Sequence, residues 1–249
     1  LMKHSDPNCP IRRQAVPQPG ELVNLPTEMA DPSQEESMSP APGIVHRYPD
    51  RVLLYTTHNC AVYCRFCTRK RKVSNPDSAM LSDELEAGIN YIRQHTEIRD
   101  VVVSGGDALS NSDDRLRSIL TRLREIPHLQ IIRVGSRNLV TLPQRVTPAF
   151  AEMLAQFAPL YVHTHFNHPA ECTVDALKAC RILTEAGIPL NNHTVLLKGI
   201  NDRTETILEL NQKLLMMNVR PYYLYQCDQV FGNSEFRTSV RKGLEIIEG

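Results

Sequence analysis

Six times along this chain a short β-branched or apolar run gives way, within a few residues, to a stretch with apolar side chains at helical spacing. No other feature constrains the fold as much. The expected strands are Val52–Thr57, Asp100–Val103, Gln130–Val134, Leu160–Phe166, Leu190–Leu197 and Arg220–Gln226. The helices expected between and after them are Ser82–His95, Asp113–Ile126, Pro148–Phe157, Thr173–Ala186, Thr204–Met217 and a last one from about Ser239. Thr147 before Pro148 and Gly187 after Ala186 read as helix start and stop signals. Strands that alternate with amphipathic helices over short connections make a parallel sheet with helices on its outer face. Right-handed crossovers curl such a sheet into a full or partial barrel. Residues 1–50 are different. Pro7, Pro10, Pro17, Pro19, Pro26, Pro32, Pro40, Pro42 and Pro49 interrupt them, so they are expected to form an irregular arm, with the barrel over 51–249.

The ends of the expected strands carry the polar residues. They are Cys60, Gly105-Gly106-Asp107, Ser136-Arg137, His165-Phe166-Asn167 and Cys227-Asp228. In parallel α/β folds the carboxyl ends of the strands hold the site, so this rim predicts an enzyme. Lys+Arg 28 balance Asp+Glu 28, which argues against a general nucleic-acid or anionic-membrane binder. No run of about 18 apolar residues exists, so no membrane span is expected. Seven cysteines, three of them inside one loop, do not make a disulfide framework. They suit a reducing compartment, and the expected location is cytoplasmic. Leu1-Met2 at one end and the helical Gly243–Glu248 just before Gly249 at the other make both ends look cut, so a longer parent protein is expected.

Cys60, Cys64 and Cys67 are spaced C-x3-C-x2-C directly after the first strand. Thiolates favour zinc or iron–sulfur centres. A structural zinc wants four ligands, whereas three with no obvious fourth suit a four-iron cluster that leaves one iron open. A zinc knuckle that borrows His58, or three buried thiols, is the alternative at this level.

The cysteine spacing, together with Gly105-Gly106-Asp107 after the second strand, resembles the radical S-adenosylmethionine (SAM) superfamily. His46-Arg47-Tyr48-Pro49-Asp50-Arg51, Cys67-Thr68-Arg69, Ser104-Gly105-Gly106-Asp107-Ala108, Thr164-His165-Phe166-Asn167-His168-Pro169 and Pro221-Tyr222-Tyr223-Leu224-Tyr225-Gln226-Cys227-Asp228 are similar to the lysine 2,3-aminomutase family within it. The resemblance implies an α/β fold, a partial (β/α)6 TIM-like barrel of radical SAM type. It implies a [4Fe-4S] cluster on Cys60, Cys64 and Cys67, with SAM chelated to the open iron and split into methionine and a 5′-deoxyadenosyl radical. It also implies pyridoxal 5′-phosphate (PLP), on which the substrate nitrogen migrates from Cα to Cβ.

Residue by residue, the resemblance places Gly105, Gly106, Asp107 and His165 at SAM, the glycines letting backbone approach its methionine part. Arg47, Tyr48 and Arg51 fall at the PLP phosphate, where two guanidinium forks and a phenol suit a dianion. Arg69 falls at the substrate carboxylate, and Asp228 at a cationic substrate tail, which a glutamate-specific relative would avoid. The other charges of Arg69-Lys70-Arg71-Lys72 are expected on a solvated face. His193 stands where lysine-specific members carry Gln. The family's PLP lysine lies in a Pro-Gly-Gly-Gly-Gly-Lys stretch that these 249 residues do not contain, and Lys198 reads as a solvated loop residue. Arg203 replaces an expected zinc-binding cysteine, so no zinc is expected.

The activity so implied is conversion of lysine to β-lysine. Arginine and a protein-bound lysyl side chain are rival substrates, and a non-catalytic Fe–S or zinc-binding protein is the alternative of another class. An electron donor of flavodoxin or ferredoxin type and a homo-oligomeric full-length protein are the expected partners.

Overall fold

In the computed structural model, which describes residues 2–73 and 82–249, seven strands form one sheet in sequence order. They are β1 Ile44–Tyr48, β2 Arg51–Thr57, β3 Asp100–Gly105, β4 Ile131–Gly135, β5 Leu160–Thr164, β6 Leu190–Leu196 and β7 Val219–Gln226. β2 through β7 are parallel to one another, and β1 adds an antiparallel edge on β2. β1 and β7 lie at opposite ends of this order, so the barrel is open. The helices are α1 Pro10–Ala15, α2 Ser82–Gln94, α3 Asp113–Arg124, α4 Asn138–Thr141, α5 Pro148–Ala155, α6 Val174–Glu185, α7 Thr204–Met216 and α8 Val240–Glu248.

The six expected strand–helix pairs are present, with ends displaced by at most two residues. Local chemistry fixes several of those ends. Ser112, Thr147, Thr173 and Ser239 each accept a backbone N–H from the first turn of α3, α5, α6 and α8. Gly187, at φ +80, closes α6 in the left-handed region that a β-carbon disfavours. Residues 1–50 depart from the irregular arm expected of them in two places, α1 and β1. Pro42 and Pro49 flank β1 rather than interrupt it. A proline just outside an edge strand costs no ladder hydrogen bond.

Alternation along the strands sorts the side chains between two faces. Val52, Leu54, Val101, Val103, Ile132, Val134, Leu160 and Val162 pack outward with Leu116, Ile119, Leu120, Leu123, Phe150, Leu183, Leu210 and Leu214 of the helices. The inner face is polar. Arg51, Ser104, Arg133, His163, His165, His193 and Tyr225 line its cavities. Among the described residues no helix is long and apolar enough to cross a membrane.

One carboxylate anchors the floor of the inner face. Asp100, whose side chain is 1% exposed, accepts Arg51 Nε at 2.8 Å and Arg133 Nε at 2.9 Å. Removing it leaves two guanidinium groups partly desolvated, Arg133 without its ion-pair partner and Arg51 with only the weaker pull of Asp50. Asp100→Ala should therefore lower stability by about 3 kcal/mol in urea unfolding. A loss within the range of an ordinary surface substitution would contradict this reading.

Candidate active site

The cysteine loop leaves β2 at Thr57 and is at once held against the end of β3. Gly106 N donates to Thr57 O at 2.6 Å and Asp107 N to Asn59 O at 2.9 Å. The two glycines are explained by this contact. A β-carbon on Gly105 would run into Thr57 O, and one on Gly106 into Asn59 O and His58 C. Gly105 also sits at φ +120, which side chains rarely adopt. What the glycines admit here is the backbone of the cysteine loop itself.

Asp107 carries the contact on to β4. Its buried carboxylate accepts Ser136 Oγ and Arg137 N, each at 2.7 Å, and Leu109 N at 3.0 Å. Burial pushes its carboxyl above the usual range, against these bonds to the charged form.

Cys60, Cys64 and Cys67 share one wall of a cavity of about 630 Å³. Burial first, then Asp107 and the other two thiols, push Cys60 up to about 12, and burial also raises Cys67. Thiols in this setting become good ligands only beside added positive charge. Two N–H groups already face the sulfurs: Arg69 N lies 3.3 Å from Cys67 Sγ and Arg137 Nη1 2.9 Å from Cys64 Sγ. Among the described residues, no three His, Cys, Asp or Glu side chains converge on a point as a single ion requires. Three cysteine thiols on one cavity wall are the donor type that an iron–sulfur cluster takes.

All twelve residues singled out from the sequence line this one cavity. Arg47 and Tyr48 are exposed at one end, and Arg51 lies beneath them, tied to Asp100. Asp228 follows β7, and partial desolvation raises its carboxyl. Arg69 is not free. Glu35 of the arm takes its Nε at 2.9 Å and Nη2 at 2.7 Å, while Ser104 Oγ and Gly105 O accept its Nη1 at 3.2 and 3.3 Å.

The basic run is a correction to the expected solvated face. Arg71 pairs with Asp31 at 3.0 Å and with Glu36 at 2.9 Å. Lys70 Nζ donates to Phe231 O at 3.2 Å, and the Lys72 ammonium lies 4.6 Å from the centre of the Tyr55 ring. The acidic residues of the arm draw this run inward. Lys198 lies exposed outside the cavity.

A second cavity of about 390 Å³ continues from the first past Ser104, Gly135 and His165. There His163 Nδ1 and His193 Nε2 are 2.7 Å apart, and Arg133 Nη1 is 3.5 Å from His163 Nε2. Arg133 can only donate, so His163 carries its proton on Nδ1 and gives it to His193, whose own proton is then on Nδ1. Burial first, then the neighbouring His193, pushes His163 and His165 down to about 3, and burial pushes His193 down to about 4. All three are neutral at ordinary pH.

Glu35, Tyr55, Gln14 and Glu171 complete the site but do not stand out in the sequence. None belongs to a motif, and each meets its partner across a long stretch of chain: Tyr55 Oη to Glu35 at 2.6 Å, and Arg137 Nη2 to Gln14 at 2.6 Å and to Glu171 at 2.7 Å.

A family profile described as "Radical SAM superfamily" matches residues 54–210. The chain is 49% identical over 249 residues to an L-lysine 2,3-aminomutase of Clostridium subterminale, covering 100% of this chain and 60% of that one. It is 46% identical over 239 residues to a glutamate 2,3-aminomutase of Clostridioides difficile strain 630, covering 96% and 56%. In fold it is similar to a radical SAM methyltransferase of Sphaerobacter thermophilus, with TM-score 0.56 and 18% identity over 82% of this chain and 64% of that one. The chain thus spans about 60% of the length of the curated relatives it matches.

Glu35 gives the site a pH signature. Despite burial, Arg69 and the Tyr55 hydroxyl hold its carboxyl at about 2, against an ordinary 4.5. A depressed carboxyl contributes stability that is whole above its unfolded pKa and disappears as pH falls toward its folded one. Between pH 5 and 2 the unmodified protein should therefore lose more stability than Glu35→Gln in urea titrations. Parallel pH profiles would show that the pair is not formed.

Proposed function

The chain belongs to the radical SAM superfamily and, within it, to the lysine 2,3-aminomutase family, and from that premise we propose that it carries the SAM-cleaving site of an amino-acid 2,3-aminomutase. The reading rests on one observation. The three cysteines, the candidate phosphate residues Arg47, Tyr48 and Arg51, and the candidate substrate residues Arg69 and Asp228 open onto one cavity.

In this proposal Cys60, Cys64 and Cys67 bind a [4Fe-4S] cluster. Gly105, Gly106 and Asp107 fix the loop that carries them, and His165 borders SAM. When bound, the cluster supplies the electron that opens the SAM sulfonium, and PLP supplies the π-system over which nitrogen migrates. Arg47, Tyr48 and Arg51 would hold the PLP phosphate. Arg51 keeps one edge of its guanidinium on Asp100, which fixes the direction of the rest.

Arg69 would reach the substrate carboxylate through the one Nη2 N–H that Glu35, Ser104 and Gly105 do not take. Asp228 would receive the cationic tail, which favours lysine over glutamate because a second carboxylate there would be repelled. Ser33 and Glu35 of the arm form part of the cavity wall. A flavodoxin- or ferredoxin-type donor, a homo-oligomeric whole protein and a cytoplasmic setting complete the proposal.

Two measurements test it. Anaerobically reconstituted protein should bind about four irons and give an EPR signal that changes when SAM is added. Cys60→Ala, Cys64→Ala and Cys67→Ala should each abolish that signal, while Cys172→Ala and Cys180→Ala should leave it. An unchanged signal in Cys64→Ala sinks the assignment. With dithionite, SAM, PLP and lysine, the 249-residue chain should release 5′-deoxyadenosine slowly and form no β-lysine at a useful rate, because its sequence holds no Pro-Gly-Gly-Gly-Gly-Lys. Robust β-lysine formation would show that another lysine does that work.

A further inference from the structure

Arg137 follows the end of β4 and reaches across the cavity to the cysteine loop. Its side chain is 11% exposed. Nη1 lies 2.9 Å from Cys64 Sγ, Nη2 donates to Gln14 Oε1 at 2.6 Å and Glu171 Oε1 at 2.7 Å, and Nε donates to the His165 carbonyl at 3.3 Å. These partners come from three separate segments, α1, the cysteine loop and the connection after β5, so the guanidinium is fixed in both position and rotation. An ammonium could not span them.

The charge balance around Arg137 is unequal. Gln14 and the His165 carbonyl are neutral. Glu171 is the anionic partner, but its Oε2 is already taken by Asn167 N at 2.6 Å and His168 N at 3.1 Å. Those backbone donors spread the carboxylate charge away from Arg137. The remaining partner able to carry negative charge is the Cys64 sulfur.

We infer that Arg137 is a positioning residue that holds Cys64 as an iron-bound thiolate through its N–H···S contact and thereby raises the reduction potential of the cluster. The inference rests on the reading of Cys60, Cys64 and Cys67 as cluster ligands. Reduction adds one electron from a low-potential donor to the cluster and makes it one charge more negative. A fixed guanidinium beside one thiolate stabilises that form more than the oxidised one. Arg137 itself exchanges neither proton nor electron.

The test is an EPR-monitored redox titration of the reconstituted 249-residue protein without SAM, with iron and sulfide counted, for the unmodified chain, Arg137→Met and Arg137→Lys. Arg137→Met should keep its iron and become harder to reduce. Its reduction equilibrium should fall at least tenfold, about 59 mV for one electron. Arg137→Lys, which keeps the charge but not the fork, should shift in the same direction by less. If Arg137→Met takes up no iron, Arg137→Lys decides alone. A midpoint unchanged from the unmodified protein in every variant that holds a cluster overturns the inference and leaves the cluster reading standing. An unmodified protein that assembles no four-iron cluster overturns both.

Discussion

The backbone of Thr57–Asn59 lies on the backbone of Gly105–Asp107 with no room for a side chain between them, and the arrangement of the site depends on that contact. Cys60 follows Asn59 directly, so the start of the cysteine loop is pinned to the sheet rather than left to a flexible turn. Asp107 passes the restraint to β4 through Ser136 and Arg137 N. Arg137 passes it to the end of β5 through the His165 carbonyl and Glu171. Four strand ends are thus tied by a continuous path of hydrogen bonds. Such a rim holds its geometry through rigid elements, as a site with several ligands needs.

Positive charge gathers around the thiols, and each buried cation requires an anion. Arg65 finds Glu21 at 2.6 Å, Arg69 finds Glu35, Arg71 finds Asp31 and Glu36, and Arg137 finds Glu171. All but Glu171 lie in the first fifty residues. A buried ion pair adds little net stability, because desolvation offsets most of the attraction, but stranding one partner costs several kcal/mol. The arm is therefore held in place by the site, and the site's arginines are held in orientation by the arm. Its irregular path is no obstacle, since what it must deliver is carboxylates at a few points rather than a repeating ladder.

The strand–helix order was legible because it rests on periodicity, and the cysteine triad because it is local. The pairing of Glu35 with Arg69 was not, since two charges 34 positions apart leave no periodic trace. Lys70, Arg71 and Lys72 read as solvated until the acids that fold over the run are in view. Gly105 and Gly106 were recognisable as a place of close approach, but the sequence could not say that the approaching group is the chain itself. β1 was hidden by Pro42 and Pro49, which suggest a break and in fact bound an edge strand. The inner face was also masked: Val101–Val103 looks uniformly apolar, yet only Val101 and Val103 join the outer core.

What remains after the ion pairs are counted is a cavity with two unlike ends. At the floor, one carboxylate, Asp100, serves two arginines, which leaves one positive charge in excess there. Arg47, exposed above it, makes no ion pair among the described residues. Across the cavity Asp228 likewise has no cation paired with it among them, and desolvation is what shifts its carboxyl. The same cavity is also lined by the neutral imidazole of His165, held uncharged by burial, and by the ring of Tyr225. A field of that form favours a ligand, or a pair of ligands, with an anionic group toward Arg47 and Arg51 and a cationic group toward Asp228. A symmetric dianion or dication would meet attraction at one end and repulsion at the other, so the cavity selects by the direction of charge as well as by its amount.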